Sequence, residues 1–305
     1  MADVRDVNLN RLAVFVAVVE TGSLTAAAER LGVAKTMVST HMQRLEAEVG
    51  ANLLVRTTRR VSLTESGRSF YEASCHVLRA AEDALAAVAD DTGPLRGSLR
   101  VSAPIDYGSL IVAPALVELR RRHPALSIEL MCSDQFVDIV GEGIDVAIRL
   151  GRLADSNYRA AKIGEFVKWV VASPAFIETW GSPVDPMLLA PMPHVALSTL
   201  ARPLSVALED AHGNKESVRC ANAFITNTAL ACRAATLAGG GFAVLTDFAV
   251  REDVAAGRLV RLLPAWATAS ASIQAVFPSA RFASGKVRAL TEMVKAQWQG
   301  IRLNS

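Results

Sequence analysis

The sequence predicts an α/β protein whose N-terminal part is an all-α-rich winged helix-turn-helix and whose C-terminal part is an α/β fold built from βα units. Three observations indicate this class. Apolar residues recur at helical spacing until Gly93-Pro94, which breaks the preceding helix. After the break, short β-rich runs alternate with helical stretches, which is typical of βα units around a largely parallel sheet. The length of 305 residues, 51% of them hydrophobic, suits two or three globular domains.

Composition and charge exclude several classes of protein. The 32 Lys and Arg residues against 30 Asp and Glu leave a net charge of only +2, so any nucleic-acid surface must be a local patch. No apolar run approaches the roughly 18 residues of a membrane span, and the first residues, MADVRDVNLNR, lack the apolar core of a signal peptide. The four cysteines form no CxxC pair. We therefore expect a cytoplasmic protein without membrane contact, metal or cofactor.

Two helices are predicted in the first 32 residues. The first covers about 8–20, and its apolar stripe has helical spacing: Leu9, Leu12, Val16 and Val19. The second is capped by Ser23 or Thr25 and ends at Gly32. Its inward-facing residues are Ala27, Ala28 and Leu31.

A third helix, over about 34–49, has one apolar and one polar face. Its apolar face is Val38, Met42, Leu45 and Val49. Its opposite face carries hydrogen-bonding side chains: Lys35, Thr36, Ser39, Thr40 and Gln43. Two short helices joined by a glycine-containing turn form a helix-turn-helix unit, here 24–43, although many three-helix bundles share this pattern.

The next segment, 52–63, is predicted to be a β-hairpin with a basic tip, which is a wing. Charge supports this interpretation. The segment from Arg30 to Ser62 contains six basic and two acidic residues, a net charge of +4. The segment from Thr64 to Asp91 contains two basic and six acidic residues, a net charge of −4. Positive charge is therefore concentrated where DNA phosphates would lie.

Four segments of the sequence resemble one known protein family. The stretch FVAVVETGSLTAAAERLGVAKTMVSTHMQRLEAEVGANLLVRTTRRVSLTESG resembles the DNA-binding region of LysR-type transcriptional regulators. VDIVGEGIDVAIRLG, TLAGGGFAVLTDFAV and AAGRLVRLLP resemble later segments of the same family. The resemblance implies a DNA-binding domain (1–63), a linker and dimerisation helix (64–92), and an effector-binding domain (97–305). That last domain is expected to be periplasmic-binding-protein-like, with one subdomain at 97–165 and 266–305 and the other at 166–265.

The family also implies partners. It implies double-stranded promoter DNA, a small-molecule effector, self-association as a dimer of dimers, and RNA polymerase. The effector is expected to change the spacing or bend of the DNA. The family gives no reason to expect an enzyme, and the sequence contains no GxSxG, HExxH or Walker motif.

Eight residues are predicted to contact DNA. On the recognition helix these are Lys35, Thr36, Ser39 and Thr40, with Gln43 nearer the backbone, and on the wing they are Arg56, Arg59 and Arg60. The alternatives are an ordinary solvated helix face and a salt-bridged wing surface. Family members often carry Ser-Gln in place of Ala34-Lys35 and a basic residue in place of Thr40, so the bases read are left open.

The segment after the wing is predicted to be one long helix. Thr64 is its expected N-cap. The helix is expected to span about 28 residues, or roughly 42 Å. Its apolar stripe consists of Phe70, Ala73, Val77, Ala81, Ala84 and Val88. Such a stripe must be buried somewhere. The resemblance implies an antiparallel dimer of these helices, and packing against the chain's own domain is the alternative.

The C-terminal region contains predicted strands at 99–104, 127–132 and 144–149, with helices at 109–122 and from 136 onward. Polar residues near predicted strand ends and helix starts are the effector-site candidates: Ser102, Ser133, Arg149, Thr226, Asn227, Thr228 and Thr246. Free backbone N–H groups at helix starts would suit a small organic anion. Simple N-capping without a ligand is an equally good alternative, with Thr226 and Ser102 as the expected caps. A salt bridge is the alternative role for Arg149.

Two further features have structural and functional interpretations. Gly239-Gly240-Gly241 lacks the GxGxxG frame, so a helix-to-strand turn is favoured over a nucleotide loop. Cys220 and Cys232 are expected to be buried structural thiols, with a redox switch as the alternative. A transport-type solute-binding protein would explain the C-terminal region but would leave the first 91 residues without a role.

Overall fold

The computed structural model describes residues 8–56, 61–88, 94–135, 137–151, 158–221, 223–278 and 284–303. The chain divides into two compact units, Met1–Gly93 and Pro94–Ser305. No described helix combines the length and apolar character that a membrane span needs.

Three helices form the body of the N-terminal unit: α1 (Leu9–Thr21), α2 (Leu24–Leu31) and α3 (Lys35–Val49). The side chain of Asn8 caps α1, and that of Ser23 caps α2 as predicted. Each helix ends at a glycine in the left-handed region, because L side chains rarely adopt that conformation: Gly22, Gly32 and Gly50. The bundle therefore begins and ends its helices where the sequence indicates.

The buried face of α1 differs from the predicted stripe. Leu9 is 47% exposed, and Val16 and Val19 are only half-buried. The face instead centres on Phe15, whose ring contacts those of Phe70 and Tyr71 on a later helix. Because α1 packs against three helices, its buried face is wider than one stripe: Leu12, Val14, Phe15, Ala17 and Val18.

The burial of α2 and α3 follows the prediction more closely. Ala27 and Ala28 are buried, but Leu31 is 37% exposed, since only the small side chains of the middle turn of α2 are covered. On α3, Val38, Met42 and Leu45 have no exposed surface, and Val49 is half-buried.

Strands β1 (Leu54–Arg56) and β2 (Val61–Leu63) form the predicted hairpin. The residues between them, including Arg59 and Arg60, lie outside the described residues. Helix α4 (Glu65–Val88) follows, and the Thr64 hydroxyl accepts a hydrogen bond from the Gly67 amide at 2.8 Å, as an N-cap does. A side chain at Gly67 would clash with the Leu53 carbonyl oxygen, so this glycine allows α4 to approach the wing.

The C-terminal unit has two lobes, each with a mixed five-stranded sheet in the described part of the chain. The first-lobe sheet has the order β4-β3-β5-β15-β6. Its strands are β3 (Gly97–Ala103), β4 (Leu126–Cys132), β5 (Val146–Leu150), β6 (Tyr158–Phe166) and β15 (Ala271–Pro278). β3 pairs in parallel with β4 and β5, but β15 runs antiparallel to β5 and β6.

The second-lobe sheet has the order β11-β8-β12-β7-β13, and a smaller three-stranded sheet lies beside it. The large sheet contains β7 (Lys168–Ala172), β8 (His194–Leu197), β11 (Ala223–Thr226), β12 (Phe242–Thr246) and β13 (Val260–Leu262). The small sheet contains β9 (Ser205–Asp210), β10 (Lys215–Arg219) and β14 (Trp266–Ala267).

The chain crosses between the lobes twice, from β6 to β7 and from β14 to β15. Since β14 pairs with β9, residues 266–267 lie with the second lobe rather than with the first. The expected largely parallel sheet is therefore wrong in detail, because strands that enter a lobe by crossing over pair antiparallel to their neighbours.

Helices cover the sheets: α5 (Ile105–Tyr107), a π-helical turn (Gly108–Val112), α6 (Ala113–Arg122), α7 (Pro174–Trp180), α8 (Ala229–Leu237), α9 (Asp247–Ala255) and α10 (Gly285–Leu303). A short 3-10 helix covers Pro186–Leu189. The predicted helix from 136 is not found, since the described residues 137–145 form turns and irregular backbone. The triple glycine forms the expected helix-to-strand turn, and a side chain at Gly241 would clash with the Pro193 carbonyl.

Candidate nucleic-acid interface and effector cleft

The outward face of α3 is fixed by its buried face. Because Val38, Met42 and Leu45 are fully buried, the opposite side of the helix must face solvent. Lys35, Thr36, Thr40 and Gln43 are exposed there. Ser39 is half-buried at the flank of this face.

Hydrogen bonding divides these candidates further. The Thr40 hydroxyl donates to the Thr36 carbonyl oxygen at 2.9 Å, so it is already engaged by its own helix. Within the described residues, Lys35, Thr36 and Gln43 have no side-chain partner. Ala34 provides no side-chain cap for the helix. Sequence reasoning left out two further exposed residues of this face, Met37 and Arg44.

Glu46 attaches the wing to α3. One carboxylate oxygen of Glu46 accepts hydrogen bonds from the amides of Leu53, at 2.9 Å, and Leu54, at 3.1 Å. These contacts hold the start of β1 against the C-terminal half of α3. The backbone of Arg56 ends β1, but its side chain, like Arg59 and Arg60, lies outside the described part of the chain.

The linker helix has one covered and one uncovered side. Phe70, Tyr71 and Leu78 pack against the N-terminal core. Ala73 is exposed, as is 46% of Val77, and Leu85 is 76% exposed. The predicted stripe therefore divides, with Phe70 covered by its own domain and Ala73 and Val77 facing outward. Ala81 is half-buried, and the side chains of Ala84 and Val88 lie outside the description.

In the C-terminal unit, the predicted effector residues lie where strands end and helices begin. Ser102 is fully buried, and its hydroxyl accepts a hydrogen bond from Arg149 Nη1 at 3.2 Å. Arg149 Nη2 is buried and has no hydrogen-bond partner among the described residues. Burial lowers the pKa of Arg149, and the nearby Glu142 partly opposes this shift.

Other candidates have internal roles. The Thr228 hydroxyl accepts from the Ala231 amide at 3.2 Å and so caps α8. The Ser133 hydroxyl accepts from the Gln135 amide at 3.1 Å. Thr226 is half-buried and Asn227 is exposed, and neither side chain has a hydrogen bond within the described residues.

Two carboxylates that the sequence analysis overlooked connect the lobes. Asp134 accepts from the Ile105 amide at 2.9 Å and from the Ala229 amide of α8 at 3.3 Å. Asp106 accepts from the Thr246 hydroxyl at 3.2 Å. The helix-start amides of Ile105 and Ala229 are therefore not free for a ligand, because the protein's own carboxylate binds them.

The charge around these carboxylates is mixed. Burial raises the pKa of Asp106, and the neighbouring Asp134 contributes to the same shift. Burial also lowers the pKa of Lys168, whereas the attraction of Asp106 acts in the opposite direction. Asp106 and Asp134 both follow first-lobe strands. Ser102 and Ser133 were chosen because they lie near strand ends, and the same criterion applied to acidic residues would have identified both aspartates.

The two buried cysteines fit a structural role. Cys220 and Cys232 lie in different hydrophobic clusters, and burial raises both thiol pKa values, that of Cys232 to about 11. A raised pKa reduces the thiolate fraction and hence reactivity. Among the described residues, no cluster of His, Cys, Asp and Glu could hold a metal ion.

A bundle that presents a polar helix face beside a wing, followed by a two-lobed α/β unit, defines a class: DNA-binding regulators with a ligand-binding domain. Family comparison gives the same division. Residues 9–68 match the bacterial regulatory helix-turn-helix protein, lysR family, and residues 92–299 match the LysR substrate binding domain. The chain therefore belongs to the LysR-type transcriptional regulators, which bind DNA and small-molecule effectors and form oligomers.

Similar proteins cover nearly the whole chain. The HTH-type transcriptional regulator PtxR of Pseudomonas aeruginosa is 36% identical over 288 residues, which are 94% of this chain and 92% of that protein. The structure of CrgA, a LysR-type regulator from Neisseria meningitidis, aligns with a TM-score of 0.60 and 31% identity, covering 95% of this chain and 99% of that one. The Vibrio cholerae virulence activator AphB aligns with a TM-score of 0.55 and 26% identity, over 95% and 99% of the two chains.

Proposed function

We propose that this regulator reads promoter DNA by placing the outward face of α3 in the major groove. Lys35, Thr36, Ser39 and Thr40 would lie nearest the bases, and Gln43 nearest the backbone. The observation that carries this proposal is the complete burial of Val38, Met42 and Leu45, which leaves only the opposite face available.

The wing arginines Arg56, Arg59 and Arg60 would contact phosphates or a narrow minor groove and set affinity more than sequence preference. The exposed Arg44 on α3 adds a fourth candidate for phosphate contact. Charge supports this assignment, since the segment from Arg30 to Ser62 carries +4.

Salt dependence tests the wing assignment. Fluorescence anisotropy would measure binding to several duplexes between low and moderate salt. Arg59→Ala should weaken binding to all of them and reduce the slope of log K against log salt by about one unit, since one phosphate contact is lost. Arg202→Ala, at an exposed site in the second lobe, is the control. A slope for Arg59→Ala equal to that of the wild type would contradict the contact.

For the effector we propose a small organic anion whose acidic group binds Arg149. The buried, unpartnered Nη2 atom supports this choice, because a buried guanidinium N–H without an acceptor costs free energy that a ligand carboxylate would recover. Ser102 would position Arg149, while Ser133, Thr226, Asn227, Thr228 and Thr246 would shape the cleft. The proposed role requires a binding event and no chemical reaction.

Isothermal titration with a panel of carboxylates, amines and neutral metabolites tests this proposal. Binding should be confined to carboxylates, and Arg149→Gln should lower the affinity at least about 10-fold, the scale of a lost charge-assisted hydrogen bond. Arg202→Gln should leave the affinity unchanged. Selective binding of amines or neutral compounds would refute the anionic effector.

Self-association is proposed through α4, whose uncovered residues Ala73, Val77 and Leu85 would pack on the same helix of a second copy. We propose a dimer of dimers that contacts RNA polymerase and acts in the cytoplasm, where promoter DNA is found. An effector would need to favour one DNA geometry by only about 1–3 kcal/mol.

A further inference from the structure

One residue on the outward face of α3 does not fit its polar surroundings. Met37, in the first turn, is 48% exposed. Within the described residues, it belongs neither to the buried N-terminal core nor to the half-buried side chains that pack against that core. The adjacent Val38 is fully buried, so Met37 cannot turn inward without rotating the helix.

Met37 shares a line with other outward residues. Met37, Thr40 and Arg44 follow the spacing i, i+3 and i+7, which places them along one side of a helix. All three are exposed. The Thr40 hydroxyl already donates to the Thr36 carbonyl oxygen. The side of α3 formed by Met37, Thr40 and Arg44 therefore has fewer hydrogen-bond donors available to DNA than the sequence predicts.

The major groove offers one apolar group that a side chain of this kind can recognise, the 5-methyl group of thymine. Methionine suits such a contact, because its unbranched side chain adapts to the surface it meets. We propose that Met37 is a specificity-determining residue that selects a T·A base pair by packing against the thymine methyl group. This inference rests on the proposed placement of α3 in the major groove.

Deoxyuridine substitution tests the contact, because deoxyuridine differs from thymidine only by that methyl group. A duplex would first be enriched from a random library by the wild-type chain. Each thymine would then be replaced in turn, and affinity measured by anisotropy for the wild type, Met37→Ala and Met187→Ala. Met187 is 53% exposed in the second lobe, so its variant removes an equally exposed methionine away from the proposed interface.

For the wild type, deoxyuridine at one or two symmetry-related positions should lower affinity by about 4- to 15-fold, the scale of burying one or two methyl groups. Met37→Ala should bind the thymine duplex more weakly by a similar factor and should be insensitive to deoxyuridine at those positions. Met187→Ala should behave as the wild type does.

Two results would overturn the inference while leaving the proposed function intact. One is that Met37→Ala keeps the wild-type sensitivity at every position. The other is that deoxyuridine leaves the affinity of the wild type unchanged at every position. If the wild type enriched no sequence from the library, the major-groove placement itself would fail, and this inference with it.

Discussion

At the scale of single residues, the most informative side chains are those whose partners are backbone amides of another element. Glu46 binds the amides of Leu53 and Leu54 and so joins the recognition helix to the wing. Asp134 does the same between two lobes. A carboxylate that accepts several amide hydrogen bonds is strongly held, and its removal leaves those amides without a partner.

The buried side chain of His194 makes the free energy of unfolding depend on pH. It is 3% exposed, stacks on Phe242, and has a pKa lowered to about 4 by burial. Because this value lies below the ordinary one of about 6.5, the folded state favours the neutral ring. The resulting stability is fully present above about pH 6.5 and is lost as the pH falls towards 4.

We therefore expect the wild-type chain to lose about 2 kcal/mol of unfolding free energy through this residue between pH 7.5 and pH 5.0. Urea unfolding at the two pH values would measure it. His194→Gln should show a pH dependence smaller by about that amount, whereas His212→Gln, at an exposed histidine, should match the wild type. An unchanged pH dependence in His194→Gln would contradict a buried neutral histidine.

The sequence predicted residues whose partners are close along the chain and missed those whose partners are distant. Ser23 and Thr64 cap helices within three residues of themselves, so their roles follow from local spacing. The cap of α8 is Thr228, two residues after the expected Thr226. Asp134 is 95 residues from Ala229, and no local pattern indicates that contact. The interlobe hydrogen bonds of Asp134 and Asp106 were missed for this reason.

At the scale of elements, carboxylates of the first lobe join it to helix starts of the second lobe. Asp134 binds the start of α5 and the start of α8, and Asp106 binds Thr246 at the end of β12. These contacts involve helix starts, where unpaired amides attract negative charge. The first lobe thus supplies two carboxylates that accept hydrogen bonds from the second lobe, one from the Ala229 amide and one from the Thr246 hydroxyl.

Replacing Asp134 should loosen both helix starts. Hydrogen–deuterium exchange of Asp134→Ala should be faster for the amides of Ile105 and Ala229, by about 5- to 150-fold for a loss of about 1–3 kcal/mol. The matched control is Asp185→Ala, which removes a carboxylate that caps the 3-10 helix through the Met187 amide. That control should change exchange only near Met187. Equal exchange at Ala229 in Asp134→Ala and the wild type would show that the interlobe contact contributes nothing.

Element boundaries were predicted better than element faces. The ends of α1, α2 and α3 follow from glycines and caps, whereas the buried face of α1 was misjudged because one stripe cannot describe a helix that meets three others. The helix expected from 136 was also wrong over its described residues. Short apolar runs of this kind suit a turn as well as a helix.

At the scale of the whole molecule, the two-part organisation was predictable, but the sheet topology was not. The change of pattern near Gly93-Pro94 coincides with the division between the two compact units. The antiparallel pairing of β15 with β5 depends on a return crossing more than 100 residues later in the chain. Hydrophobic patterns identify such strands but do not specify their partners.

The central claim is that the polar face of α3 reads bases, and the specificity ratio of a recognition-helix variant tests it most directly. Anisotropy would compare the enriched duplex with a scrambled duplex for the wild type, the double variant Lys35→Ala/Thr36→Ala and the control Lys215→Ala. The ratio of affinities for the enriched and the scrambled duplex should be at least about 10-fold lower for the double variant than for the wild type, since each base contact contributes about 1–3 kcal/mol. The control should retain the ratio. A double variant that discriminates between the duplexes as well as the wild type does would contradict the account.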